Sequence, residues 1–211
     1  MVPAHVKSRP YDSSGRRAAA RARREHVLDI AGRLMERDGY DATTVAAIAT
    51  ESGVSPETIY KSFGGKPGLV RALFEKALQG AGPIPAETRS DALRDTDPLT
   101  LVSGWARLAT EVAPRGTAIM ILVRAAATSD PRMGKLYDEM DALRLRRMQD
   151  NARALAAIGG VRDGITVEEA GDVLFTVSSP EMYELLVTRR GWSIERYARY
   201  VRDTITHALL P

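Results

Sequence analysis

Seven polar side chains crowd one short part of the chain: Thr44, Ser55, Glu57, Thr58, Tyr60, Lys61 and Lys66, within TTVAAIATESGVSPETIYKSFGGK, which starts at Thr43. Hydroxyls and ammonium groups are the donors that grip phosphate, and each neutralised phosphate releases counterion. No nucleophile with a base beside it stands among them. His5, His26 and His207 are scattered, with no His-x-x-x-His pair and no acidic cluster at metal-ligand spacing. There is no cysteine, hence no thiolate nucleophile, disulfide or Cys-based zinc site. Gly64-Gly65-Lys66 lacks the upstream glycine and the following Ser or Thr of a phosphate-cradling loop. Glu168-Glu169 reads as capping chemistry. Catalysis, a metal and a cofactor are therefore not expected.

Those groups need elements to hold them. Thr43 or Thr44 can cap a first short helix whose inward face is Val45, Ile48 and Ala49. Ser52, Gly53 and Val54 break it. Ser55 caps a second helix, with Pro56 at its first position, where a missing N–H is harmless. Two helices across a tight Gly-containing turn, here over residues 43–63, is the spacing of a helix-turn-helix, whose second helix enters the DNA major groove. The candidate DNA contacts are thus Thr43, Thr44, Ser55, Pro56, Glu57, Thr58, Tyr60, Lys61 and Lys66, with Ile59 and Phe63 as core. Glu57 repels phosphate; it either accepts from a base amine or complements its helix N-terminus.

Charge supports a nucleic-acid partner. The net charge of +3 is small. Its distribution is not even: residues 1–79 hold 13 Lys and Arg against 9 Asp and Glu, and the remainder 17 against 18. Lys7, Arg9, Arg16, Arg17, Arg21, Arg23 and Arg24 face only Asp12 in their stretch. The arm Arg16, Arg17, Arg21, Arg23 and Arg24 can lie along phosphates.

Taken in order, residues 1–18 read as a disordered basic tail. A helix over 19–38 carries the stripe Val27, Ile30, Ala31, Leu34 and Met35 and stops at Gly39. After the helix-turn-helix, a glycine corner leads into a fourth helix ending near Gln79. Residues 80–97 read as a linker with a short helical piece over 87–94. Small polar caps followed by proline, and the Thr166-x-x-Glu169 box, then start helices over 98–113, 115–128, 131–157, 166–178, 180–190 and 193–208. No strand pattern or membrane-length apolar window is found, and no signal peptide is read at the N-terminus. The fold class is all-α, with about nine to ten helices.

Residues 19–79 resemble the N-terminal domain of the TetR family of bacterial transcriptional regulators (TetR/AcrR type). The carriers are ERDGYDATTVAAIA, ESGVS and TIYKSFGGKPGLVRALFEKAL in one register. TVEEAGDVLF and SSPEMYELLVTRRGWSIERYARYV resemble the family's ligand-binding and dimerisation part. The resemblance implies a three-helix head with a connecting fourth helix, joined to a helical effector-binding and dimerisation body over 98–211. It implies a homodimer on a palindromic double-stranded DNA operator, repressing until a small molecule binds the body, in the bacterial cytoplasm at the nucleoid. Activation, or DNA binding without an effector, are the alternatives. Pro56 and Glu57 depart from the Gly, Lys, Arg or small polar residues common at their positions.

In the body, Trp105, Met120, Val123, Met133, Tyr137, Met140 and Phe175 are candidate pocket residues. A Met-rich lining suits a small, largely apolar effector. Met182, Tyr183, Leu186, Tyr197, Val201 and Ile205 outnumber what one protomer's core needs and are assigned to the dimer interface.

Overall fold

The computed structural model describes residues 13–211, which form helices and their connections without a strand. The expected tail over residues 1–12, with His5, Lys7 and Arg9, lies outside the described residues. The helices are α1 (Ser13–Ala42), α2 (Val45–Ser52), α3 (Pro56–Phe63), α4 (Lys66–Leu78), α5 (Ala86–Asp91), α6 (Pro98–Ala126), α7 (Pro131–Ala157), α8 (Val167–Val177), α9 (Pro180–Tyr183), continuing as a π-helical segment Glu184–Arg189, and α10 (Ile194–Leu209).

The polar caps behave as their chemistry demands. Thr44, Ser55, Asp97, Asp130, Thr166, Ser179 and Ser193 each accept a backbone N–H from the first turn that follows. Thr166 and Glu169 close a reciprocal capping box. Two boundaries differ from the sequence reading. First, α1 begins at Ser13 and not near residue 19. The Ala- and Arg-rich run there has high helix propensity, so the last part of the expected tail is helical. Second, Pro114 does not split α6, which runs unbroken through it. A mid-helix proline costs about 3 kcal/mol. Burial of Leu101, Val102, Trp105, Ala106 and Leu108 before it, and of Met120, Val123 and Ala126 after it, offsets that.

The apolar interior forms two clusters, and they do not follow the expected division at residues 80–97. The first joins α1–α4 to the C-terminal part of α6 and the N-terminal half of α7: Val27, Ile30, Leu34, Ile48, Ile59, Leu69 and Val70 pack with Met120, Val123, Met133, Leu136 and Met140. The second lies at the far end: Leu101, Val102, Trp105, Leu155, Leu174, Tyr197, Val201, Ile205 and Leu209. The near ends of the body helices therefore complete the head's core.

The dimer assignment needs correction. Tyr183, Leu186, Tyr197, Val201 and Ile205 are all buried within one protomer, and half-buried Met182 packs against the same far cluster. Tyr183 and Tyr197 meet edge to face at 5.2 Å between centroids. They are core because α6, α7, α8, α9 and α10 enclose a larger interior than any single helix pattern discloses. Leu99, Val167 and Leu185 are large apolar residues of this end that stay exposed.

Candidate nucleic-acid interface and body cavity

α2 and α3 are each eight residues, too short to persist alone, and are held by what they bury. Ile48 and Ile59 are fully enclosed. Gly53 takes the left-handed conformation that the turn between them requires, and its N–H returns to the carbonyls of Ala49 and Thr50. With Ile59 inward, the outer face of α3 presents Tyr60, 57% exposed, and exposed Lys61. Pro56 and Glu57 are exposed at its start.

The orientation of α3 is fixed from both sides. Arg24 of α1 donates from Nη1 to the Ser62 carbonyl at 2.9 Å, and its guanidinium lies 4.2 Å from the Phe63 ring centroid. It was read as part of the arm; here it anchors the end of the recognition helix. On the other side, α4 approaches so closely that a Cβ on Gly68 would sit 1.6 Å from the Phe63 carbonyl oxygen. Of the remaining arm, Arg21 pairs with Glu25 at 3.0 Å, and Arg16, Arg17 and Arg23 lie on the exposed face of α1.

Thr43 cannot reach DNA by its side chain. It is 2% exposed, and its hydroxyl donates to the Gly39 carbonyl at 2.8 Å. Thr44 is exposed and caps α2, accepting from the Ala47 N–H. Ser55 and Thr58 hydroxyls lie 3.2 Å apart at the start of α3. The Glu57 backbone N–H and the Ser55 hydroxyl hold the Glu57 carboxyl below its usual range. The acid thus complements the helix N-terminus, the second of its two readings.

Lys66 has a structural partner. Its Nζ donates to the Tyr40 carbonyl at 2.6 Å and sits 4.1 Å from the Tyr40 ring centroid. Burial pulls its pKa down, against Asp41 and Asp130 nearby. The Tyr40 hydroxyl donates to Asp130 at 3.0 Å, and Asp130 also accepts two hydrogen bonds from the Arg132 guanidinium. Burial, with that carboxylate, pushes the Tyr40 hydroxyl well up. An open groove of about 400 Å³ runs past Thr44, Tyr60, Gly65, Lys66 and Arg132. Arg132, from the body, was not singled out by sequence; a lone Arg after a helix-starting proline carries no signal. The groove offers hydroxyls and cations and no carboxylate side chain along its wall.

The body holds a second hollow, of about 270 Å³, walled by α4, α5, α6, α7, α8, α9 and α10. Trp105 and Met120 of the candidate set line it. Val123, Met133 and Met140 do not: they are packed into the head-side core, with Tyr137 against them. The Phe175 ring instead lies 3.6 Å from the Arg144 guanidinium. Sequence reading missed Phe74, Leu78, Arg144 and Tyr197, which all border the hollow. Among the described residues, no group of three His, Cys, Asp or Glu could hold a metal ion, and no helix is long and apolar enough to cross a membrane.

Comparison with known proteins agrees with this geometry. Residues 27–73 match the family model of the bacterial regulatory proteins of the tetR family. YvkB of Bacillus subtilis, described as an uncharacterized HTH-type transcriptional regulator, is 38% identical over 71 residues, 34% of this chain. That match spans only 38% of YvkB's length. YdeS of the same bacterium, described likewise, is 28% identical over 204 residues, covering 96% of this chain and 91% of YdeS. The solved SmeT–triclosan complex shares the fold at 18% identity, with a TM-score of 0.71 over 90% of this chain and 92% of that one. The helix-turn-helix head, its donors outward, thus matches the DNA-binding part of the bacterial regulatory proteins of the tetR family, and over its whole length the chain is similar to an HTH-type transcriptional regulator.

Proposed function

We propose that the protein is a repressor that grips a palindromic operator as a homodimer and lets go when a small, largely apolar effector enters the body. The observation that carries this reading is where the hollow lies. Phe74 and Leu78 of α4 and Met120 of α6 border it from the head side, and Trp105, Leu174, Tyr197, Val201 and Ile205 from the far side. A ligand there sits on the seam between the two cores. It touches the helix whose start packs under α3. Filling the seam shifts α4 against α6, and with it the spacing of two heads on DNA. Such a shift needs only a ligand that binds one arrangement better than the other.

The DNA contacts in this reading are Thr44, Ser55, Thr58, Tyr60, Lys61 and the groove's Arg132, with Arg16, Arg17, Arg21 and Arg23 along α1. All are backbone-positioning contacts. The complex of SmeT with triclosan supports a small-molecule ligand in a body of this fold. The homodimer rests on the family. Acting on DNA assigns the protein to the bacterial cytoplasm.

The test is selection of bound fragments from genomic DNA by the purified full chain, followed by a small-molecule panel scored for release in fluorescence anisotropy. A motif with dyad symmetry and release by at least one apolar compound are expected. Binding without sequence preference would overturn the operator reading; a motif that no compound releases would overturn the effector.

A further inference from the structure

The wall of the hollow contains two buried donors that the protein leaves unpaired. One is the hydroxyl of Tyr197, a residue 0% exposed. The other is the Nε–H of Arg144. Both residues border the hollow. Burial of an unpaired donor is costly, so such groups are seldom kept without use.

Arg144 is also held still. Its Nη1 donates to the Phe175 carbonyl at 2.6 Å while its plane stacks on the Phe175 ring at 3.6 Å. Its charge has one partner carboxylate, Asp141, 3.6 Å from Nη2 and 40% exposed. Glu181 also acts on it but is bonded to Arg124. Arg147, on the same wall, differs: Glu87 and Asp91 both bind it, at 3.3 and 2.8 Å. Arg147 has two carboxylates and Arg144 has one, at longer range. Burial pushes the Tyr197 hydroxyl up and the Arg144 charge opposes that rise, so the two groups sense each other.

We infer that the hollow takes a compact apolar molecule bearing a carboxylate, whose two oxygens accept from the Arg144 Nε–H and the Tyr197 hydroxyl. A carboxylate brings two acceptors to two donors and a second negative charge to a guanidinium that has one half-exposed partner. Phe74, Leu78, Trp105 and Met120 then cover its apolar part, and the volume of about 270 Å³ keeps it small. This inference rests on the reading of the hollow as the effector site.

The experiment uses phenylbutyrate, phenylbutanol and phenylbutylamine, three probes of one shape, titrated calorimetrically into the full chain without DNA. Phenylbutyrate is expected to bind about tenfold more tightly than the alcohol, with the amine weakest. Arg144→Gln and Tyr197→Phe are each expected to lose about tenfold for the acid and nothing for the alcohol. Equal binding of all three probes, binding of none, or variants that weaken acid and alcohol alike would overturn the inference. Should Arg144→Gln fail to fold, Tyr197→Phe, which removes one oxygen from a filled core, decides alone. Operator release is scored separately. If the acid binds through Arg144 and no compound displaces DNA, the effector reading fails and the carboxylate site stands. If the alcohol releases DNA as well as the acid does, the reverse holds.

Discussion

The two ends of the molecule use buried and exposed polarity in opposite ways. Around the head, the buried polar groups are paired: Thr43 on Gly39, Ser52 on Ile48, Lys66 on Tyr40, Tyr40 on Asp130. The donors meant for a partner stand in solvent, on Tyr60 and Lys61. In the body the donors suited to a partner are buried and unpaired, on Tyr197 and Arg144. In the proposed function the two ends meet different partners. A polyanion is large, hydrated and steered from a distance, so its contacts can wait in water. A small molecule must repay its own desolvation, so its contacts are stored where competing water is scarce. The cores show the same contrast, one tying head to body and one belonging to the body alone.

Substitutions can break or sharpen that contrast. The largest effect is expected at Ile59→Ala, which empties the head's core for about 2–5 kcal/mol. Thermal unfolding should show the loss, with DNA binding lost alongside. Leu155→Ala, equally buried in the far core, should cost about as much. It should leave DNA affinity intact below its melting temperature. Equal loss of DNA affinity in both variants would merge the two cores into one.

Next comes Lys66→Met, expected to cost about 1–2 kcal/mol by removing the bond to Tyr40 and the ring contact. Unchanged stability with a large loss in DNA affinity would return Lys66 to the DNA-facing set. Tyr60→Phe should cost about 1 kcal/mol of binding for every DNA sequence alike. Lys61→Ala should flatten the salt dependence by about 0.9 in log–log slope. A change in base preference at one position would make either residue a base reader.

The smallest effect is an acid limb. The Arg89 guanidinium, with the Ala81 N–H, holds the Glu111 carboxyl at about 2. A depressed carboxyl stabilises the fold above its ordinary pKa of 4.5 and loses that support as pH falls towards 2. Glu111→Gln should flatten stability over that window. An unchanged acid limb would mean that this clamp between the loop after α4 and α6 carries no load.

Legibility tracks how locally each feature is encoded. The helix-turn-helix was read because caps, breakers and inward residues all lie within one continuous stretch, residues 43–63, in one register. The caps of α6, α7, α8, α9 and α10 were equally local. The hollow was not: its wall draws on seven helices, so spacing along any one of them recovered only Trp105 and Met120. Arg144 looked like any solvated helix arginine, since its burial comes from Phe175 on α8. The dimer residues were misplaced for the same reason, because apolar excess cannot be judged before the enclosing helices are known. Pro114 was read as a break because proline's local cost is visible in sequence and the packing that outweighs it is not.

Pro114 has one more consequence. It supplies no N–H to the carbonyl one turn before it, at Thr110, so α6 lacks a rung of its ladder there. Val112, Ala113 and Gly116 on either side border the hollow. The helix is therefore stiff where the two cores clamp it and compliant between them. Over 29 residues it spans about 43 Å, and its missing rung lies beside the hollow, between the two stretches that the two cores hold.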